Sequence, residues 1–444
     1  MNTSDRVFFV DHTLVNSKGH YLSYAQAVRS EALSLGMECQ VLAHRDADNE
    51  VMTSLQARAG LRVNQHGFLW KSLVLLFKRA ALERSDDKTS SRPATQRLNS
   101  DWLHPLRQFG KSILHETDLF WANEVYFNDL IKLLTQPLTK NDQIFCPTID
   151  HRQLLAWARW AGRRSISDQP RIILLLRYNY LNPDRPESGF PSWIRNAFSK
   201  FERLASGSRI ELVTDSQQLK LEYEQLTSYP VKVLPIPHIP IDSARSTESP
   251  PPAGGTLTSE VHFIFLGDAR AEKGFDILAM AILRLFENGQ SVGMRFSVQC
   301  YTSDTQHDDM RPWITKLREL GHSSIRLIDR PISREDYQEL LFSGNVTLLP
   351  YRKQTYYART SGPLVESIAA GIPLIVTDET WLSEQARKTG TGITVTDGSI
   401  DQLCCALMQM RDQYAAWSAR AIAAAPEWRA FHNPQNFLEM LLSE

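Results

Sequence analysis

Cysteine is scarce in this chain: five residues among 444, Cys39, Cys146, Cys300, Cys404 and Cys405, with no Cys-x-x-Cys pair. That spacing offers neither a disulfide framework nor a cysteine-built zinc site, and it fits a reducing compartment. Long apolar runs are lacking too. Nowhere do about 18 apolar residues follow one another, the length a membrane-crossing helix needs, and residues 1–10 carry Asp5 and Arg6 ahead of a short strand rather than a signal-peptide core. A cytosolic protein is expected. Neither charge is in excess: 49 Lys and Arg stand against 50 Asp and Glu, so nothing draws the chain generally to nucleic acid or anionic lipid. Any anion site must be local. No repeat of fixed period is present.

What is there is ordinary globular composition, 42% hydrophobic and 9% aromatic, in a chain longer than one core usually organises, so two domains are expected. Strand-like and helix-like segments alternate throughout, the pattern of parallel sheets with crossover helices. The first half offers strands at Val7–Val10, Cys39–Ala43, Gln143–Cys146, Arg171–Leu176, Arg209–Val213 and Val231–Leu234. The second offers Val261–Leu266, Met294–Cys300, Ile325–Ile328, Val346–Leu349, Pro373–Val376 and Gly392–Val395. Two doubly wound α/β domains follow. The proline block Ser-Pro-Pro-Pro-Ala-Gly-Gly at 249–255 has no apolar period and makes a linker. The expected division is residues 1–240, a linker over 241–260, a second domain over 261–425, and a tail over 426–444. In the tail a short helix bearing Phe437, Leu438, Met440 and Leu441, after one long alanine-rich helix around Ser399–Ala425, packs back on the first domain. The polar stretch 83–100 reads as a surface excursion. The apolar segment Phe68–Phe77, edged by Lys71, Lys78 and Arg79, reads as a buried helix, with contact to a membrane surface or to an acceptor lipid as the lesser alternative.

Two segments carry chemistry. The first, Phe265 to Asp276, places Arg270 and Lys273 where an apolar strand breaks at Gly267 and a helix begins, since Phe275, Ile277, Leu278, Ile282 and Leu285 recur at helical spacing. Cations at a strand's carboxyl edge beside the positive end of a helix suit an anion such as a diphosphate. The plainer alternative, a pair of exposed loop cations, is the lesser one. The segment lacks the Gly-Lys-Ser/Thr order of a P-loop, so nucleotide hydrolysis by that route is not expected. The second segment reads strand, loop, helix, strand through Thr360-Ser361-Gly362-Pro363-Leu364-Val365-Glu366. Pro363 suits a first helical position with Ser361 or Gly362 as the cap, leaving first-turn amides open to a phosphate. Glu366, expected in the opening turn, can accept both hydroxyls of a ribose. Taken alone, it could merely favour a helix start.

Together these residues resemble the retaining glycosyltransferases of family 4, whose GT-B fold faces two Rossmann-like domains across a cleft. The likeness covers nearly the whole second domain, and the first more weakly through Gly19-His20-Tyr21. The resemblance implies that Arg270 and Lys273 hold the donor diphosphate, that Ser361, Gly362, Pro363 and Leu364 present the phosphate-facing helix start, that Glu366 binds ribose, and that Gly19 lies opposite. It implies a nucleoside-diphosphate sugar as donor, a glycan or glycolipid as acceptor, no other cofactor and no metal. It also implies a surface polysaccharide or glycolipid as product, in a bacterial-type setting. Lys273 and Arg270 would stabilise the leaving diphosphate, and a first-domain histidine, His20 or His151, would stand near the sugar. Either histidine could instead cap or pack at a helix start.

Two departures stand out. The family's pair of glutamates eight residues apart has Ala358 at its earlier position, and the usual arginine five residues before the lysine is Asp268 here. These motivate two rival readings, a nucleotide-sugar epimerase of the same fold and a non-catalytic relative that binds nucleotide sugar or a partner transferase. The pairs Asp308-Asp309 and Asp86-Asp87 read as solvated surface rather than metal ligands. Trp157 and Trp160 read as core, and Arg177-Tyr178-Asn179-Tyr180, after a buried strand, as either an acceptor contact or structure.

Overall fold

A computed structural model describes residues 6–16, 21–62, 119–237, 260–302 and 309–443. Two all-parallel sheets organise them. The first runs β3-β2-β1-β4-β5-β6-β7, with β1 Arg6–Asp11, β2 Glu38–His44, β3 Arg58–Leu61, β4 Gln143–Ile149, β5 Arg171–Leu176, β6 Ile210–Thr214 and β7 Val231–Val233. The second runs β10-β9-β8-β11-β12-β13, with β8 Val261–Phe265, β9 Met294–Gln299, β10 Ile325–Ile328, β11 Val346–Leu349, β12 Leu374–Thr377 and β13 Gly392–Val395. Central strands such as Val7–Val10, Leu174–Leu176 and Phe263–Phe265 are buried along their whole length, because helices cover both faces of each sheet. In both sheets the winding reverses beside the first strand, between β1 and β4 and between β8 and β11. At such a reversal the crossovers diverge and leave a crevice at the carboxyl ends of the strands.

The expected strands all form: Arg171–Leu176, Ile325–Ile328, Val346–Leu349 and Gly392–Val395 keep the expected bounds, and the others shift at an end by one to three residues. The additional edge strand β3, Arg-Ala-Gly-Leu, pairs only with β2 and carries no β-branched residue, so no periodicity announces it. The single alanine-rich helix expected around Ser399–Ala425 is instead two, Ile400–Asp412 and Tyr414–Phe431, broken at Gln413. The break lets Tyr414 turn inward, where its hydroxyl accepts from Asn345 Nδ2 at 3.1 Å. Asn433 caps the last helix, Pro434–Leu442, by accepting from Asn436 N. Phe437 of that helix meets Tyr24 and Phe145 edge-on at 5.6 and 5.5 Å, and Arg171 donates to the carbonyls of Leu441 and Ser443. Burying Phe437, Leu438 and Leu441 contributes about 2 kcal/mol each. The tail thus crosses from the second domain to the first. The apolar segment 68–77, the polar stretch 83–100 and the linker 241–259 lie outside the described residues.

Candidate functional site

The loop after β8 is held in place by its backbone donors: Gly267 N donates to the side-chain Oε1 of Gln299 at 2.7 Å and Ala269 N to the Tyr301 carbonyl at 3.1 Å. A single 3-10 turn, Ala271–Lys273, then leads through Gly274 into the helix Phe275–Glu287. Gly267 has φ +109°, and a Cβ there would stand 2.1 Å from Lys273 Nζ, so the ammonium rests directly on the glycine. Lys273 is only 9% exposed, and no described carboxylate lies within ion-pair distance of it. Burial, and then the neighbouring Arg270, pull its pKa down to about 8. Arg270 donates to Glu272 Oε1 at 2.9 Å, while its buried Nε has no hydrogen-bond partner among the described residues. The two cations predicted from the strand-to-helix pattern are therefore adjacent at one sheet edge, and each keeps unsatisfied donor capacity.

The loop after β11 packs against this one. Arg352 N donates to the Glu272 carbonyl at 2.9 Å, and Gly274 lies against the carbonyl of Pro350. The helix Gly362–Ala369 opens with Ser361 at its cap position and Pro363 in the first turn, and no side chain caps it. Its first-turn amides are thus available to an anion, as the Ser-Gly-Pro pattern predicts. Glu366 differs from expectation: it stands fifth in the helix, one turn in, and its side chain is buried. Tyr337 donates to Glu366 Oε2 at 2.5 Å, and burial, followed by the glutamate, drives the Tyr337 phenol well above its usual pKa. The helix itself is braced from behind, where Trp428 Nε1 donates to the Val365 carbonyl at 3.0 Å and Arg429 to that of Ala369 at 2.7 Å. Removing the buried donor by Tyr337→Phe is expected to lower the unfolding free energy by about 1–2 kcal/mol. An unchanged midpoint in a urea titration would contradict that bond.

The opposing edge belongs to the first sheet. Gly19 and His20 lie outside the described residues. His151 is the first residue of the helix His151–Ala161, after β4, with Asp150 as its cap. Its Nδ1 is 3.3 Å from the Tyr180 hydroxyl and its ring is 4.5 Å from that of Trp193, centroid to centroid. Beside it Arg152 pairs with Asp150 at 2.5 Å. Just after β5 the Arg177 side chain lies 3.0 Å from Asp215, which follows β6, and stacks over Tyr24. Trp157 and Trp160 are fully buried core, as their spacing predicts.

The two edges touch. Thr360 Oγ1 donates to Asp215 Oδ2 at 3.1 Å, and the Tyr357 hydroxyl donates to Glu222, whose other oxygen accepts from Tyr180 N and Leu181 N. Burial raises the Glu222 pKa, countered first by the Tyr357 bond. Ala358 is fully buried and packs with first-domain core residues. Sequence reasoning missed Asp215, Glu222 and Tyr337; the signal for Asp215 was the Thr214-Asp215-Ser216 end of an apolar strand. It also passed over Asp46-Ala47-Asp48, the spacing of a metal-binding carboxylate pair. Here Asp48 caps the helix Asn49–Leu55 by accepting from Val51 N at 2.9 Å, and Asp46 faces His44 at 3.7 Å. Among the described residues, no group of three or more His, Cys, Asp or Glu is arranged to hold a metal ion, and no helix is long and apolar enough to cross a membrane.

No curated protein matches the chain. Among solved structures, it is similar to the trehalose-6-phosphate synthase OtsA at 13% identity and TM-score 0.63, over 99% of each chain. WaaG, a glycosyltransferase involved in lipopolysaccharide biosynthesis, aligns at 12% identity and TM-score 0.57, over 99% of this chain and 100% of its own. HepE of Anabaena, in complex with UDP and glucose, aligns at 13% identity and TM-score 0.58, over 99% and 100%. These likenesses establish the fold, two parallel-sheet α/β domains arranged as in GT-B glycosyltransferases. Residues 260–413 match the family model described as glycosyl transferases group 1, so the second domain carries a glycosyl transferases group 1 pattern within a GT-B frame.

Proposed function

We propose that the protein is a retaining glycosyltransferase of the family 4 type, moving a sugar from a nucleoside-diphosphate sugar to a hydroxyl of a glycan or glycolipid. The observation that carries this reading is Lys273, a buried cation with no described carboxylate partner, placed next to Arg270 at the edge of the sheet that matches the group 1 pattern. Keeping such a charge desolvated is costly unless an anion arrives. The uncapped start of the helix Gly362–Ala369 supplies further donors, so developing charge on a departing diphosphate is met by Lys273, Arg270 and the amides around Ser361, Gly362, Pro363 and Leu364. That set stabilises the leaving group without a metal. Glu366, one turn deeper, takes the ribose. His151, at the first-domain edge, stands on the sugar side; Gly19 and His20, assigned to the same side by the family resemblance, lie outside the described residues.

In retention the acceptor attacks from the face that the diphosphate leaves, and the leaving phosphate takes the acceptor's proton, so no dedicated protein base is required. The setting proposed is cytoplasmic and bacterial, at or near the inner face of a membrane, where a surface polysaccharide or glycolipid is assembled. By likeness, the complex of HepE with UDP and glucose supports the donor class, and the lipopolysaccharide role of WaaG supports the product class.

Incubation with a panel of radiolabelled nucleotide sugars, with and without glycan and glycolipid acceptors, tests the reading. At least one donor is expected to release its nucleotide faster when acceptor is present, and NMR of the product should show the donor's anomeric configuration kept. Binding of a donor with no turnover across the panel would leave a non-catalytic nucleotide-sugar binder instead.

A further inference from the structure

Four arginines at the two sheet edges each hold a carboxylate. Arg152 holds Asp150, Arg177 holds Asp215, Arg270 holds Glu272, and Arg352 holds Asp276 at 2.7 Å. Besides Lys273, Arg359 stands out: it is partly exposed, and it has no carboxylate or hydrogen-bond acceptor among the described residues. Its guanidinium lies 5.6 Å from the ring centres of both Tyr178, which follows β5 in the first domain, and Tyr356 in the second. Its backbone is pinned on both sides, by Ala358 in the first-domain core and by Thr360 on Asp215. Aromatic faces hold an arginine's orientation while leaving its fork of N–H donors unfilled. A pre-positioned guanidinium at the junction of the two domains, without an acceptor among the described residues, is a receptor for a carboxylate or a phosphate.

We propose that Arg359 binds an anionic group on the sugar side of the cleft, so that one of the two reacting sugars carries a carboxylate or a phosphate. The inference rests on the transferase reading above and adds the substrate class to it. The two rings that hold Arg359 face different neighbours: Tyr356 stands near Arg270 and Glu272 of the diphosphate loop, so titration with UDP is what separates the two roles. Arg359 leans on Tyr178, whose surroundings include Asp150 and Arg152 of the first domain, whereas Lys273 rests on Gly267 behind β8.

Calorimetric titrations of the parent protein, Arg359→Ala and Arg359→Lys test it. UDP alone should bind Arg359→Ala within about twofold of the parent; a loss of tenfold or more would assign Arg359 to the diphosphate and overturn the proposal. In the donor arm, UDP-glucuronate is compared with UDP-glucose; in the acceptor arm, glucose 6-phosphate is compared with glucose on UDP-loaded protein. One arm should favour the acidic ligand by roughly 10- to 100-fold, the range of a charge-assisted bond. That preference should vanish in Arg359→Ala and survive in part in Arg359→Lys. A parent that prefers the neutral ligand in both arms, or a preference that outlasts Arg359→Ala, refutes it. A purely structural brace would weaken acidic and neutral ligands alike, which also counts against it. Failure of turnover with these binding results intact would fall on the transferase reading alone.

Discussion

Replacing Lys273 with methionine is expected to weaken nucleoside-diphosphate binding by about 10- to 100-fold while making the unliganded protein more stable. The first effect follows from the loss of a charge-assisted contact with the anion. The second follows from the cost of the buried charge. The lysine's pKa lies at about 8 against an ordinary 10.5, and a shift of that size is on the order of 3 kcal/mol of native-state penalty at neutral pH. Because the native state holds its proton less tightly than the unfolded chain, stability rises with pH between about 8 and 10.5, and it is level below that window. Methionine fills the same space without the penalty, so the denaturation midpoint should rise as affinity falls. Binding has the opposite pH dependence. The diphosphate needs the ammonium form, so affinity should fall by up to about tenfold per pH unit above 8, and binding near pH 8.5 should take up a proton. Calorimetry in buffers of different ionisation enthalpy reads that proton directly. Gly267→Ala provides an independent route to the same site, since its Cβ would occupy the place of Nζ and push the ammonium off the glycine. Proton uptake absent in the parent, or nucleotide affinity unchanged in Lys273→Met, would remove this lysine from the donor site.

The legible part of this molecule was the part written in local pattern. The apolar runs that became β8 and β11 are buried on both sheet faces, so their sequences are nearly continuous in Phe, Ile, Val and Leu, and the loops that follow them could be located in advance. Gly-Pro at 362–363 marked a helix start for the same local reason, the fixed backbone angle of proline and its missing N–H. Depth was less legible. Glu366 was expected within the opening turn of its helix and stands fifth in it, buried and bonded by Tyr337, 29 positions earlier in the chain. Contacts between the domains left no trace in spacing at all. Tyr357 reaches Glu222 and Thr360 reaches Asp215 across 135 and 145 positions, so only the folded arrangement brings them together. Ala358 shows how the two levels combine. In the sequence it is a missing glutamate; in the structure it is a small apolar residue filling the first-domain core, where a buried carboxylate would need a partner of its own. The neighbouring Arg359 then becomes the polar group that this turn offers to the cleft.

Substituting Gly274 with alanine should be the most damaging single-methyl change near the site, costing on the order of 3–5 kcal/mol. Two effects add. Gly274 has φ +66° and ψ 28°, a left-handed conformation that costs a residue with a Cβ about 1 kcal/mol. The greater effect is steric, because that Cβ would stand 1.9 Å from the carbonyl oxygen of Pro350 and 2.9 Å from its carbonyl carbon. Both are backbone atoms at the end of a buried strand, so no side-chain rotation relieves the clash. Gly390 is the control. It has the same φ of +66° with nothing within 4 Å of its would-be Cβ, so Gly390→Ala should show only the conformational cost. The difference between the two variants in urea or guanidinium unfolding isolates the close approach of the loops after β8 and β11. That approach holds the loop carrying Arg270 and Lys273 against the loop that leads to the helix Gly362–Ala369. Relief of the clash must part the loops, so the fraction of Gly274→Ala that remains folded should also bind nucleotide more weakly than Gly390→Ala. Equal stability losses in the two variants would mean that the loops do not meet in this way, and the donor site built on their meeting would have to be redrawn.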